Sequence, residues 1–306
     1  MDDNLRKGIA LALLAALVSG ISVFVNGIAI KNADPFAYTA LKNLGALAFL
    51  GAIVLAFTEF KHFRGLSKKQ WGMLALIGVI GGSVPFLMFF WGLKLGGAAV
   101  SSFIFRSLFI FAGVFGYLLL REKPEPRDIA AGFAILIGNA LLVSGDFMLG
   151  GGQLLVLGAT ALWALEYTIS RKLMSEVHPR VVMVSRMLFG SIITFTMLAA
   201  AGSLGSLAMG AEELAWLALT SLLLCVFLVG WYSSLKYLPV LKAASILALG
   251  GIVTACLEII FLGKAVAPAE ALGLLLILAG ALAIATLSGA VSALGKMRDL
   301  IPGLVR

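Results

Sequence analysis

Three charged residues inside otherwise apolar stretches are the first candidates for chemistry. Arg106 lies near the middle of the stretch from Ala98 to Glu122, and Glu166 and Glu258 lie in two later stretches. Stretches of this length span a bilayer, where an unpartnered charge costs about 3 kcal/mol or more. These residues therefore indicate binding of a polar substrate or ion pairs that hold helices together. The planar guanidinium of Arg106 suits a carboxylate.

Three further residues have side chains or backbone effects that suit a binding site. Trp163 and Tyr167 flank Glu166, and their rings can line a pocket or stack on a substrate. Pro85 follows several glycines, and a proline inside a helix removes a backbone hydrogen bond and kinks the helix. We interpret the glycines as sites of close helix packing and Pro85 as a functional kink. The candidate substrate-binding residues are Arg106, Glu166, Glu258, Trp163, Tyr167 and Pro85.

Two more basic residues, Lys42 and Arg186, lie within apolar stretches. Each follows a proline by seven residues, Pro35 in one case and Pro179 in the other. At the helical rise this is about 10 Å from the helix start, within reach of a side chain that extends to the membrane surface. A functional role, such a surface-directed arrangement and a role in packing all remain open for these two residues. For Arg106, the depth in its stretch makes Glu166 and Glu258 the candidate ion-pair partners. Arg186 is an alternative structural partner of Glu166.

The composition shows which elements must position these residues. The chain of 306 residues is 61% apolar and 12% charged, and its mean hydropathy of +1.07 is typical of a membrane protein. The first apolar run is followed by further spans, which argues against a cleaved signal peptide. We predict an all-α integral membrane protein with ten transmembrane helices near residues 7–30, 36–58, 70–92, 97–120, 127–145, 152–170, 180–202, 213–235, 243–262 and 267–288.

The loops between the predicted spans differ in their basic residues. If both termini are cytoplasmic, 17 Lys and Arg residues lie in cytoplasmic segments and 3 in outside loops. This bias predicts that orientation, in a cell (inner or plasma) membrane. It also accounts for the net charge of +8 without nucleic acid, because the basic residues form no basic face.

The two halves of the sequence resemble each other. Pro35 and Pro179 are 144 residues apart, and the same offset relates Lys42 to Arg186. With five spans per half, the second copy enters the membrane from the opposite side. We therefore predict two inverted five-helix repeats. The predicted division is 1–148 for the first repeat, 149–290 for the second and 291–306 for a cytoplasmic tail.

Short segments in both halves carry a resemblance to a known family. They are LLRE at 119–122, LKYLP at 235–239, AASI at 243–246 and FLGK at 261–264. Together with the two five-span repeats, they resemble the ten-helix EamA-type branch of the drug/metabolite transporter superfamily. The chain departs from the family where Arg121-Glu122 and Gly263-Lys264 replace Gly-Glu, and it lacks the proline common in spans 4 and 9. The resemblance implies a secondary transporter that moves a small organic metabolite by alternating access, with export favoured.

The segment around Glu166, LWALEYTISRKLM, is also similar to the first helix of small multidrug resistance transporters. In that family a membrane glutamate exchanges protons for substrate. The similarity implies protons as a candidate coupling ion and a multidrug or cationic amphiphile exporter as the alternative function. The charges within spans are three positive and two negative, which favours an amino acid or carboxylate over a lipophilic cation.

Several other functions lack a sequence signature. The chain has no phosphate-binding loop, no HExxH and no GxSxG motif. His62 and His178 lie in loops away from cysteines and paired acids, so neither predicts a metal site. We therefore expect no enzyme, no metal and no cofactor, with an intramembrane enzyme, a channel or a lipid scramblase as minor alternatives. The expected partners are a small-molecule substrate and the lipid bilayer, and the oligomeric state stays open.

Overall fold

A computed structural model describes residues 3–31, 33–96, 98–142 and 150–283, and within them the chain is helical without a strand. Eight of the helices there are long and apolar enough to cross a membrane, and α5 and α10 are shorter. The apolar helices are α1 (Asp3–Ala29), α2 (Pro35–Ala56), α3 (Lys68–Gly96), α4 (Val100–Leu120), α5 (Pro126–Leu141), α6 (Gly151–Leu173), α7 (Pro179–Ala200), α8 (Ala211–Leu235), α9 (Val240–Leu262) and α10 (Pro268–Ala283).

Three of these helices are interrupted. A π-helical segment, Gly78–Ser83, divides α3 just before Pro85, as expected where a helix loses a backbone hydrogen bond. Helix α9 breaks between Leu247 and Gly250. The interruption of α3 was predicted from Pro85. A third interruption, at Ser107 in α4, has no proline beside it.

Corresponding helix ends in the two halves use corresponding residues. The side chains of Asp34 and His178 each accept hydrogen bonds from the first turn of the helix that follows, α2 or α7, which begins with a proline. Helix α4 ends at Arg121 and α9 at Gly263, both in the left-handed conformation with φ of 56° and 64°. Glycine adopts this conformation without strain and arginine does not.

The contacts between helices are the same in both parts of the chain when each helix is replaced by its counterpart five positions away. Helix α1 packs on α8 and α9, whereas α6, five helices later, packs on α3 and α4. In addition α2 packs on α7, and α4 packs on α9. Replacing each helix by the one five positions away converts this set of contacts into itself. The core of the bundle therefore lies between residues from both parts of the chain.

Glycines allow the closest of these approaches. A Cβ atom on Gly82 would lie 2.3 Å from the carbonyl oxygen of Arg186, and one on Gly190 would lie 2.6 Å from the carbonyl oxygen of Gly82. Such distances are shorter than any side chain tolerates, so α3 and α7 meet backbone to backbone. The interpretation of Gly82 as a packing residue agrees with this contact.

Some predicted boundaries fall outside the described residues. Residues 143–149, which include the predicted repeat boundary and the end of span 5, belong to this group, as do the end of span 10 and the predicted tail at 291–306. Elsewhere the helix ends lie within a few residues of the predicted ones.

Candidate functional site

A narrow cavity of about 70 Å³ lies inside the bundle, bordered by residues of α1, α2, α3, α4, α6, α7 and α8. Much of its wall is aromatic. Trp163 is the centre of an aromatic cluster, with its ring centroid 5.1 Å from that of Phe86 and 5.5 Å from that of Phe105. Rings at these distances attract one another. They form an apolar part of the wall, and the polar part consists of Ser19, Ser22, Asn26, Lys42 and Arg186.

Arg186 of α7 lines the cavity and forms an ion pair with Glu166 of α6. Its Nε lies 3.4 Å from Glu166 Oε2, and both side chains are buried. Glu166 Oε1 also accepts hydrogen bonds from Tyr232 at 2.6 Å and Ser170 at 2.5 Å. These two hydrogen bonds to Oε1 help to hold the buried carboxylate in place beside Arg186. Glu166 itself stands behind Arg186 and does not line the cavity.

The carbonyl of Gly81, in the π-helical segment of α3, joins this network. It accepts hydrogen bonds from Arg186 Nη2 at 2.8 Å and Trp163 Nε1 at 2.9 Å. The residue four positions later is Pro85, which has no N–H to donate to that carbonyl. A Cβ on Gly81 would lie 2.5 Å from Glu166 Cγ. The proline and the glycine thus create an acceptor at the place where the ion pair needs one.

Lys42 of α2 lines the same cavity in a different setting. It is 2% exposed, and its Nζ donates to Asn26 Oδ1 at 2.7 Å. The ammonium also lies over the rings of Phe90 and Tyr38, 5.0 and 5.6 Å from their centroids. Among the described residues, no carboxylate lies within ion-pair distance of Lys42. The surface-directed arrangement left open for Lys42 and Arg186 is therefore wrong, because both side chains are buried.

Arg106 has neither of the partners that its depth suggested. Its Nη1 donates to the carbonyl of Leu247 and its Nη2 to Thr254 Oγ1, both at 3.2 Å. Leu247 ends the first part of α9, so its carbonyl is one that the broken helix leaves unsatisfied. Arg106 thus spans the interruption of α9, and its predicted pairing with Glu166 or Glu258 is not what the structure contains.

Glu258 lies in a second, smaller cavity near the far end of α9. Its Oε2 is 3.5 Å from Lys264 Nζ, which also pairs with Glu270 at 3.1 Å. Ser102 and Asn139 border this cavity, whose volume is about 40 Å³. Glu258 and Glu166 therefore belong to separate groups of charged residues.

The structure brings together only part of the predicted site. Trp163 and Tyr167 line the central cavity, Glu166 reaches it through Arg186, and Pro85 frees the Gly81 carbonyl. Arg106 and Glu258 lie elsewhere. Sequence reasoning missed Asn26 and assigned neither Lys42 nor Arg186 to the site. The signal for Lys42 was its position 144 residues before Arg186.

Comparison with known proteins identifies the family. The sequence model of the EamA-like transporter family matches the chain twice, at residues 6–144 and 150–286. The chain belongs to the EamA-like transporter family. It is accordingly a multi-pass membrane protein of a transporter family, within the drug/metabolite transporter superfamily that its sequence resembles. This confirms the resemblance and gives no support to the enzyme alternative.

Two further proteins are similar to this EamA-like chain. A Sinorhizobium sp protein called "Uncharacterized transporter in cobO 3'region" is 32% identical over 135 residues, which are 44% of this chain and 93% of that protein. A solved structure described as "Crystal structure of protein" has a TM-score of 0.78 at 20% identity, over 94% of this chain and 99% of that one. The second similarity shows a shared fold.

An ion pair joins helix ends at one end of the EamA-like bundle. Glu122, just after α4, pairs with Arg171 of α6 at 2.5 Å. Arg171 also donates to the carbonyl of Leu235 at the end of α8, and Glu122 accepts from the N–H of Val240 at the start of α9. Two side chains thus hold four helix ends together. We call this group the Glu122–Arg171 clasp.

A second contact at helix ends joins the segment after α2 to the start of α7. The rings of His62 and His178 stack 4.1 Å apart, and Arg180 forms an ion pair with Glu59. The hydrogen bond from Arg180 holds the pKa of Glu59 below its usual value. Partial burial, followed by the neighbouring His62, lowers the pKa of His178. This junction lies outside the membrane-spanning segments.

Proposed function

We propose that the protein is a secondary transporter that moves a small organic metabolite, such as an amino acid or a carboxylate, by alternating access. The observation that carries this proposal is the central cavity, in which Lys42 and Arg186 come from the two parts of the chain that the family model matches separately. A site between two halves changes its access when the halves move relative to each other. The cavity of about 70 Å³ holds only a few waters, which is typical of a closed conformation.

The proposed architecture is ten transmembrane helices in two inverted five-helix repeats, with residues 1–148 and 149–290 as the halves. Two observations support it. The family model matches once in each half, and the packing contacts are exchanged when every helix is replaced by the one five positions away. Inversion follows if each half crosses the membrane five times, because the second half then begins on the opposite side.

The proposed orientation has both termini, and the tail at 291–306, in the cytoplasm of a cell that carries the protein in its inner or plasma membrane. The distribution of 17 basic residues against 3 supports it. In this orientation the Glu122–Arg171 clasp lies on the cytoplasmic side. Export as the direction of transport rests on the family resemblance.

Roles within the predicted site follow from where its residues lie. Trp163 and Tyr167 contact the substrate. Glu166 positions Arg186 and is the candidate carrier of a coupled proton, and Pro85 sets the Gly81 acceptor. Arg106 and Glu258 support the substrate path through α9, where they contact the interrupted helix and its outer end.

The direct test is transport by purified protein in proteoliposomes. We expect saturable uptake of at least one radiolabelled carboxylate or amino acid that depends on a gradient and is absent from liposomes without protein. Uptake of cationic dyes alone would favour the multidrug alternative. Flux that fails to saturate would indicate a channel or scramblase and contradict the proposal.

A variant separates coupling from movement of substrate. If Glu166 carries the proton, Glu166→Gln abolishes uptake driven by a pH gradient, while exchange of substrate at equal pH on both sides continues. Ser170→Ala, which removes one hydrogen bond to the same carboxylate but no titrating group, is the matched control. Gradient-driven uptake at the wild-type rate in Glu166→Gln would exclude this role.

A further inference from the structure

The central cavity holds one positive charge more than its neighbours balance. Lys42 and Arg186 both line it, and Glu166 is the single carboxylate paired with either of them among the described residues. Because Glu166 neutralises Arg186, the remaining charge belongs to Lys42. An uncompensated charge in a membrane interior is expensive, and such residues mark binding sites and ion paths.

Both cations that line the cavity have hydrogen-bond donors without an acceptor. A lysine ammonium has three N–H donors. In the structure, Lys42 Nζ donates a hydrogen bond to Asn26. Arg186 adds Nη1, which is buried without a hydrogen-bond partner. Buried donors are normally satisfied. Unsatisfied donors on both cations therefore indicate that an acceptor belongs in this cavity when the protein is loaded.

The aromatic rings of α3 connect the two cations. Arg186 lies 5.4 Å from the centroid of Phe86, and Lys42 lies 5.0 Å from that of Phe90. Phe86 and Phe90 are one helical turn apart and stack on each other with their centroids 6.0 Å apart. The cations thus border one continuous aromatic strip. This arrangement fits a molecule with an anionic head and an apolar body.

We propose that Lys42 forms an anion-binding subsite for organic monocarboxylates, in which the carboxylate accepts from the Lys42 ammonium and the apolar body lies against Phe86, Phe90 and Trp163. The proposal rests on the transport function proposed above and narrows its substrate class. A monoanion makes the cavity neutral. An amino acid brings an ammonium group as well, and that group finds no carboxylate on the cavity wall, because Glu166 lies behind Arg186 and is occupied by Tyr232 and Ser170.

The experiment compares four probes that share one phenyl ring. They are benzoate, neutral benzamide, zwitterionic phenylglycine and cationic benzylammonium. Their effect on the melting temperature of purified protein is measured in a chloride-free buffer, since ligands that bind the native state raise it. We expect benzoate to raise the melting temperature and the other three to have little effect.

Lys42→Met then tests the residue itself. Methionine keeps much of the lysine stem and removes the ammonium, so benzoate affinity falls about 10- to 100-fold, as expected for a lost charge-assisted hydrogen bond. Without ligand, the variant melts at or above the wild-type temperature, because an unbalanced buried charge is gone. Lys94→Met is the matched control, since Lys94 is exposed and donates to the carbonyl of Ala33 outside the cavity. It keeps the wild-type response to benzoate.

Each failure has its own signature. Equal stabilisation by phenylglycine or benzylammonium, an unchanged benzoate affinity in Lys42→Met, the absence of stabilisation by any probe, or an equal effect of chloride alone would each overturn the subsite. The transport proposal is tested separately by flux of the same probes in proteoliposomes. Saturable flux of phenylglycine that is independent of Lys42 would keep the transporter and reject the subsite. Lys42-dependent benzoate binding without flux would keep the subsite and reject the transporter.

Discussion

The two cations of the central cavity occupy equivalent positions but have different surroundings. Residues on α1 and α2 correspond to residues on α6 and α7 at a constant offset of 144 positions. The corresponding pairs are Lys42 with Arg186, Ser22 with Glu166, and Asn26 with Ser170. In the second half the cation has a carboxylate partner, and in the first half the same position carries a serine hydroxyl.

The two cations differ in whether a carboxylate balances their charge. Arg186, with its ion pair and the Gly81 carbonyl, is fixed by partners that remain buried with it. Lys42 has a neutral amide and two aromatic rings. A balanced charge stabilises one arrangement of the helices, whereas an unbalanced one awaits a counter-charge from outside the protein.

The largest effect is expected from a substitution that breaks the ion pair between Arg186 and Glu166. Arg186→Leu leaves Glu166 charged and buried without its partner, which lowers the stability by about 3–5 kcal/mol. The melting temperature and the yield of folded protein measure this loss. The double variant Arg186→Leu with Glu166→Gln recovers most of it, because no charge is then stranded. A single Arg186→Leu variant as stable as the wild type would show that the ion pair does not hold the structure.

The next effect concerns Arg106, a buried arginine without a carboxylate partner. Arg106→Leu removes the hydrogen bonds to the Leu247 carbonyl and Thr254, with an expected loss of about 2 kcal/mol. This is less than for Arg186, because no opposite charge is stranded. Arg106→Lys retains the charge and serves as the control. If Arg106→Leu folds normally but loses substrate affinity, Arg106 contacts the substrate and does not simply brace α9.

A smaller effect separates the two helix ends in the left-handed conformation. Arg121→Gly relieves backbone strain at the end of α4 and raises stability by about 1 kcal/mol. Gly263→Ala introduces such strain at the equivalent end of α9 and lowers stability by a similar amount. Opposite shifts in melting temperature are therefore expected. Shifts of the same sign would contradict the equivalence of the two ends.

The smallest effect concerns His178, the N-cap residue of α7. Because the pKa of His178 is lowered in the folded protein, its neutral form stabilises the fold fully above the unfolded value of about 6.5 and less as the pH falls below it. His62, Glu59, Arg180 and Lys236 act on this ring. Glu59 has a lowered pKa, so its own contribution is lost only as the pH falls below about 4.3.

We therefore expect a lower melting temperature at pH 5.5 than at pH 7.5. His178→Asn keeps a good N-cap residue without a titrating ring, and its melting temperature changes less between the two pH values. Lys61→Gln, a substitution at an exposed position next to His62, is the control and retains the wild-type pH dependence. An unchanged pH dependence in His178→Asn would assign the effect to other groups.

The sequence predicts the membrane class and most helices because apolar length alone decides which segments enter a bilayer. It also predicts the equivalence of Lys42 and Arg186. It leaves open whether Glu166 pairs with Arg106 or with Arg186, because the depth of a residue along a helix can be read from its number but the direction of its side chain around the bundle cannot. The free carbonyl of Gly81 could have been predicted from Pro85, because a proline has no N–H to donate to the carbonyl four residues earlier. The break at Ser107 could not have been.

The packing of α1 on α8 has a consequence for biosynthesis. Helix α1 ends at Ala29 and α8 begins at Ala211, so the ribosome delivers α1 to the bilayer long before its main neighbour exists. Lipid must solvate α1 in the meantime, and the helix has no charged residue between Gly8 and Ala29. Helix α6 meets an α3 that is already in place. The first half of the chain therefore waits in the membrane as loosely associated helices, and assembly completes only when the second half is inserted.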